Sequence, residues 1–183
     1  MTDKTDSRPT HLLWVDVETT GLDPHSDRIL EVAMIATGPD LIPLDDGFHT
    51  VVAWDGEPDA FIRAMHGPNG LLAECAAPDA PSPEEARAAA CGYVARHAEG
   101  VRLVPAGSTV RFDRDMLDHA MPGVLAPCHH RSLDVSALYE AARMWAPGAL
   151  PRVEPTTDHR APHCLRDSLA WARQWKGLLC SLG

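Results

Sequence analysis

The stretch Trp14-Val15-Asp16-Val17-Glu18-Thr19-Thr20-Gly21-Leu22-Asp23-Pro24 decides how the chain is read. Its first part completes a short run, Leu12 to Val17, that is apolar and rich in β-formers, and it stops at a dense turn signal from Thr19 to Pro24. The reading is a buried strand followed by a turn. Asp16 and Glu18 are two residues apart, so both leave one face of the sheet while Val15 and Val17 leave the other. Two carboxylates converging at a strand end raise each other's pKa unless a cation or donor neutralises them. Oxygen ligands of this kind suit Mg²⁺ or Mn²⁺, and two such ions ~3.5 to 4 Å apart can activate a water and stabilise a leaving oxygen. A pair of solvated carboxylates on an exposed face would carry the same spacing.

Working outward, Ile29 to Thr37 reads as a second strand closed by Gly38-Pro39-Asp40, and Phe48 to Trp54 as a third, which predicts an antiparallel meander. A helix is expected over Pro58 to Met65, broken by Gly67-Pro68-Asn69-Gly70. Ser82-Pro83-Glu84-Glu85 combines an N-cap serine, proline at the first helical position and a glutamate at N3, and opens a helix to His97. Further expectations are a strand at Val101–Pro105, a helix over Phe112–Ala120, a short strand near Leu133 and a helix over Ser136–Trp145. A proline-rich connection covers Met144–Pro155, and the last helix runs from His159 to Lys176, with Leu165, Leu169, Ala172 and Trp175 on one repeat. Three strands followed by alternating helices and strands indicate an α/β fold with a mixed sheet. Residues 1–10 read as a disordered leader and 11–183 as a single domain. Trp54, Trp145, Trp171 and Trp175 are expected in the core.

A net charge of −10 excludes a global basic field, so a nucleic acid partner is expected to be short or gripped locally. The five cysteines are scattered and lack a C-x-x-C pair, which argues against a disulfide framework and fits a reducing cytoplasm. No apolar run approaches the ~18 residues of a membrane span.

The string from Trp14 to Pro24 resembles the first motif of the DEDDh exonucleases, the family of polymerase proofreading subunits, RNase T and oligoribonuclease. Ala106 to Leu117 looks like the second motif, which makes Asp113 the matching metal ligand; its neighbour Asp115 would serve equally as an ordinary first-turn acid. His129-His130-Arg131-Ser132-Leu133-Asp134-Val135-Ser136 is similar to the oligoribonuclease segment in which an arginine and a serine hold the terminal phosphate, here Arg131 and Ser136. Ser132 stands where that family has a tyrosine contributed to a neighbouring subunit. Asp158-His159-Arg160-Ala161 resembles the third motif, in which the histidine deprotonates the attacking water, a role suited to its pKa. The resemblance places Leu22 and His66 against terminal bases and adds Thr19 to the substrate-binding set.

What the resemblance implies is a ribonuclease H-like fold and a homodimer. It also implies a metal-dependent 3′→5′ exonuclease that uses two Mg²⁺ or Mn²⁺ ions on single-stranded 3′ ends of short RNA or DNA. One position departs from the pattern: Cys164 replaces the last metal-binding aspartate, and a neutral thiol is a poor ligand for hard Mg²⁺. Four explanations stay open. Asp167, one turn further on, reaches the site; three carboxylates suffice for a slower enzyme; the chain is a degenerate end-binding protein or polymerase-associated subunit; or His163 and Cys164 form a zinc pair.

Overall fold

The computed structural model describes residues 6–150, 156 and 158–181. A five-stranded mixed sheet has the order β3-β2-β1-β4-β5, built from β1 (Thr10–Thr19), β2 (Ile29–Thr37), β3 (Phe48–Val51), β4 (Arg102–Gly107) and β5 (Leu133–Asp134). The first three strands form the expected antiparallel meander, while β4 runs parallel to β1 and β5 parallel to β4. Helices α1 (Ala60–His66), α2 (Leu71–Cys75), α3 (Pro83–Ala98), α4 (Val110–Ala120), α5 (Val135–Trp145) and α6 (Ala161–Cys180) surround it.

Strand alternation divides the core. Leu13, Val15 and Val17 face a cluster with Tyr93 and Val94 of α3 and Met116 and Leu117 of α4. Leu12 and Trp14 face the other cluster, with Val135 and Ala142 of α5 and Leu165, Leu169 and Trp175 of α6. Asp16 and Glu18 continue that second row, so the period of two that buries Trp14 also turns both carboxylates toward α6. The pairing of β1 with β4 reaches only Trp14 and Ala106, whereas β2 follows β1 to Thr19. Beyond residue 14, one edge of β1 is therefore open. Gly107 closes the approach at this point, because a Cβ there would stand 2.9 Å from the Val15 carbonyl oxygen.

The third helix begins as expected, with Ser82 and Glu85 forming a capping box and Pro83 in the first turn. Other details differ. β1 begins at Thr10, inside the stretch read as leader, since parallel pairing with Arg102 extends it; residues 1–5 lie outside the described residues. β3 ends at Val51, three residues early, and α6 starts at Ala161 and reaches Cys180. Helix α2 has no counterpart in the sequence reading, being only five residues long. Trp145 is 80% exposed at the end of α5, contrary to the expected burial, and Trp54 and Trp171 are half-buried; Trp175 is in the core. Much of the proline-rich connection, residues 151–155, lies outside the described residues.

Candidate active site

Asp16 and Glu18 meet Cys164, from the first turn of α6, with one ligand atom of each lying within 4.8 Å of the others. The Cys164 thiol points at Glu18 Oε1, 3.8 Å away. Asp113, in the first turn of α4, is 4% exposed and approaches from the open edge of β1, where its Oδ1 accepts from the Val17 amide at 3.0 Å. Asp115 instead pairs with Arg111 on the exposed face of the helix, so Asp113 is the acid delivered to the site.

These groups repel one another as anions. Burial, then Asp113, Glu18 and Glu31, push the Asp16 carboxyl well above the usual carboxylate range. Burial, with Glu31 next, raises Glu18 to about 7, and burial raises Asp113 to about 7 against the pull of the Val17 amide. The Cys164 thiol is pushed up by burial and by the charges of Asp16 and Glu18. Buried acids held this way fit a cation, which would reverse every one of these shifts. In chemical type the donor set is two carboxylates and a sulfur, with a third carboxylate alongside.

His159 precedes α6 in a left-handed conformation, φ 52°, and lines the same cavity of about 330 Å³ as Asp16, Ser108, Ser136, Cys164, Asp167, Ser168 and Trp171. Its backbone is tethered: Asn69 Nδ2 donates to the carbonyls of both Asp158 and His159 at 2.8 Å. Arg160 binds Glu31 and Glu74, and the Ala161 amide donates to Glu31 Oε2 at 2.8 Å. Burial would raise the Glu31 pKa, but bonds from His49, Arg160 and the Ala161 amide outweigh it and hold the carboxyl below its ordinary value. His159 also lines a wider cleft of about 740 Å³ with Phe61, Met65, Pro68 and Asn69.

The remaining expectations divide. Ser136 lines the first cavity, its hydroxyl 3.3 Å from Thr109 Oγ1. Thr19 turns its hydroxyl to the Gly21 carbonyl, and Leu22 stands 82% exposed on the turn, not in the core. His66 is fully buried, with Nε2 3.7 Å from Glu18 Oε2, the Thr19 backbone close by and neither ring nitrogen in a well-formed hydrogen bond. Arg131 is exposed on a segment whose backbone is held by Arg114 and His129, and it does not line the cavity.

Asp167 shares the cavity but accepts from the amide and hydroxyl of Thr156, and it is not among the converging ligand atoms. The zinc pair does not assemble either, because His163 turns to Asp158 while Cys164 turns to Glu18. Sequence reasoning passed over Glu31, Phe61 and Asn69. A charge inside the apolar run Ile29 to Met34 was the available signal for Glu31; Phe61 and Asn69 gave none.

Known proteins resemble this chain along most of its length. The profile of the exonuclease family RNase_T matches residues 13–170. The oligoribonuclease of Tropheryma whipplei (strain Twist) is 38% identical over 143 residues, which cover 76% of each chain. That of Thiobacillus denitrificans is 35% identical over 175 residues, covering 92% of this chain and 94% of the relative. Among solved structures, exonuclease I of Methylocaldum szegediense superposes with a TM-score of 0.67 at 19% identity, over 92% of this chain and 40% of that one. Exonuclease I of E. coli, in complex with a 5cy-dT13 oligonucleotide, gives 0.68 at 18%, over 96% and 42%. The chain therefore spans about two fifths of exonuclease I and shares its fold.

Proposed function

The chain belongs to the RNase_T exonuclease family and is a DEDDh-type 3′→5′ exonuclease, and on that premise we propose that it removes nucleoside 5′-monophosphates from the 3′ ends of short single-stranded oligonucleotides. The observation that carries the reading is the pairing of Asp16 with Glu18, with Asp113 held on the Val17 amide where its charge acts on Asp16, beside the cavity that Asp16 and His159 line. Asp16, Glu18 and Asp113 would hold a pair of divalent cations, which when bound supply Lewis-acid stabilisation of the charge that develops on the phosphate. His159 takes the proton of the attacking water at a ring nitrogen, and its tethered backbone limits the freedom lost on reaching that geometry. The hydroxyls of Ser108 and Ser136 lie in the cavity as donors to a phosphate oxygen. Phe61, 64% exposed on the adjoining cleft, offers an aromatic face to a base, which is sequence-tolerant. Short substrates fit the net charge of −10 and the resemblance to oligoribonucleases. Among the described residues, no helix is long and apolar enough to cross a membrane; a cytoplasmic site of action rests on the likeness to oligoribonucleases.

The test is a 5′-labelled oligonucleotide incubated with the protein and, in parallel, Mg²⁺, Mn²⁺ or Co²⁺. A ladder shortening from the 3′ end is expected, abolished by Asp16→Asn and slowed by about 10² to 10⁴ in His159→Ala. No shortening, or equal shortening by Asp16→Asn, refutes the reading. One observation favours a second reading, a weakly active end-binding protein: a thiol stands where the family motif has its last acid. Tight binding of an oligonucleotide with no release of mononucleotide under any divalent ion would select it.

A further inference from the structure

We propose that Asp16, Glu18 and Cys164 form a mixed carboxylate–thiolate site that takes a borderline or soft divalent cation, of the Co²⁺, Zn²⁺ or Cd²⁺ class, in preference to Mg²⁺. The proposal rests on the exonuclease reading of the same cavity and gives its metal a chemical class.

Three observations carry it. The first is geometric: the three ligand atoms lie within 4.8 Å of one another, close enough to share one ion, and Sγ is 3.8 Å from Glu18 Oε1. The second is the donor chemistry. Mg²⁺ demands oxygen in near-octahedral geometry, whereas sulfur selects zinc-like ions, for which three protein ligands and one open position make a working coordination shell. Asp167, the acid that would restore an all-oxygen set, is engaged by Thr156. The third is independent of the cysteine. His66 is fully buried beside the other oxygen of Glu18, with Nε2 3.7 Å from Oε2, the Thr19 backbone close by and neither ring nitrogen in a well-formed hydrogen bond. Buried polar nitrogens this loosely held are rare in folded proteins, and Nε2 faces the carboxylate that would bear the ion. On binding, the thiol S–H bond breaks, its proton leaves to solvent and a sulfur lone pair forms the bond to the cation, so each ion taken up releases the thiol proton together with any that the ligand carboxyls hold.

Titrating the metal-free full-length chain with Co²⁺, then Cd²⁺, tests this through the thiolate-to-metal charge-transfer absorption. An intense near-ultraviolet band saturating at one ion per chain is expected, with at least one proton released. About a hundredfold excess of Mg²⁺ should leave most of it in place. Cys164→Ser and Cys164→Asp should both lose the band, and Cys164→Asp should narrow the preference for Co²⁺ over Mg²⁺ by about tenfold or more. Cys180→Ser, altering an exposed cysteine outside the site, should keep the band. Melting curves verify that each variant folds. Co²⁺ uptake without the band, or a band that survives Cys164→Ser, overturns the proposal. A band in a protein that never shortens a 3′ end would sink the exonuclease reading and leave the thiolate site standing.

Discussion

Arg160 donates to Glu31 Oε1 from Nε at 3.0 Å and from Nη2 at 2.7 Å, joining the residue after His159 to the interior of β2. Glu31 has no exposed surface, and it also accepts from His49 and from the first amide of α6. The pair thus pins the loop that presents the histidine. Arg160→Gln should leave Glu31 buried without its main partner, costing about 3 to 5 kcal/mol in urea denaturation. It should also lower kcat by more than tenfold while KM changes little, because a small displacement of the base costs rate more than binding. A destabilised variant with unchanged kcat would reduce the pair to a purely structural role.

Stability should depend on pH in a direction set by the buried acids. Glu18 moves from an ordinary 4.5 to about 7 and Asp113 from 3.8 to about 7. Between those values the folded chain holds protons that the unfolded chain has released. Their contribution is fully present below the ordinary values and is lost as pH rises through about 7. The metal-free protein should melt lower at about pH 8 than at about pH 5.5, and divalent cation should flatten the difference. A melting temperature that climbs across this window without metal contradicts the assignment.

Asp113→Asn separates fold from chemistry. Its amide oxygen can still accept from the Val17 N–H, while the repulsion between Asp113 and Asp16 disappears. We expect the metal-free variant to gain about 1 kcal/mol near pH 8. Its turnover should fall about a hundredfold or more, the rate equivalent of losing several kcal/mol of charge stabilisation. Loss of both stability and activity would mean that the charge itself supports the fold.

Phe61→Ala should act on binding. Removing one aromatic platform costs about 1 to 3 kcal/mol per stacked base, which appears as a raised KM for di- to pentanucleotides with little change in kcat. Because the ring is 64% exposed, the melting temperature should hold. A normal KM in this variant means that bases do not rest on Phe61.

Most of the architecture was readable because it follows from local periodicity. The alternation in Leu12 to Glu18 forecast both the core and the direction of the acids, and Ser82-Pro83-Glu84-Glu85 forecast a helix start to the residue. Long-range pairing left no such trace. Nothing local reveals that Glu31 meets Arg160, 129 residues away, or that Asn69 holds the carbonyl of His159 across 90. Trp145 shows the reverse error: its apolar character suggested burial, but the helix that carries it ends at the surface and leaves the ring there. Asp167 satisfied a helical spacing argument, yet Thr156 claims its carboxylate from outside the helix. Spacing fixes which side of a helix a residue shares, not which neighbour reaches it first.

The half-open edge of β1 has a consequence for observation. Past Trp14 the strand has lost its parallel neighbour, and the Val17 N–H is met by an acid side chain. That single proton is a resident spectroscopic gauge: its chemical shift and solvent-exchange rate follow the charge on Asp113. An isotope-labelled sample would therefore report the arrival of a cation, the protonation of the acid or the docking of a 3′ end from one backbone resonance, with no label attached to the site.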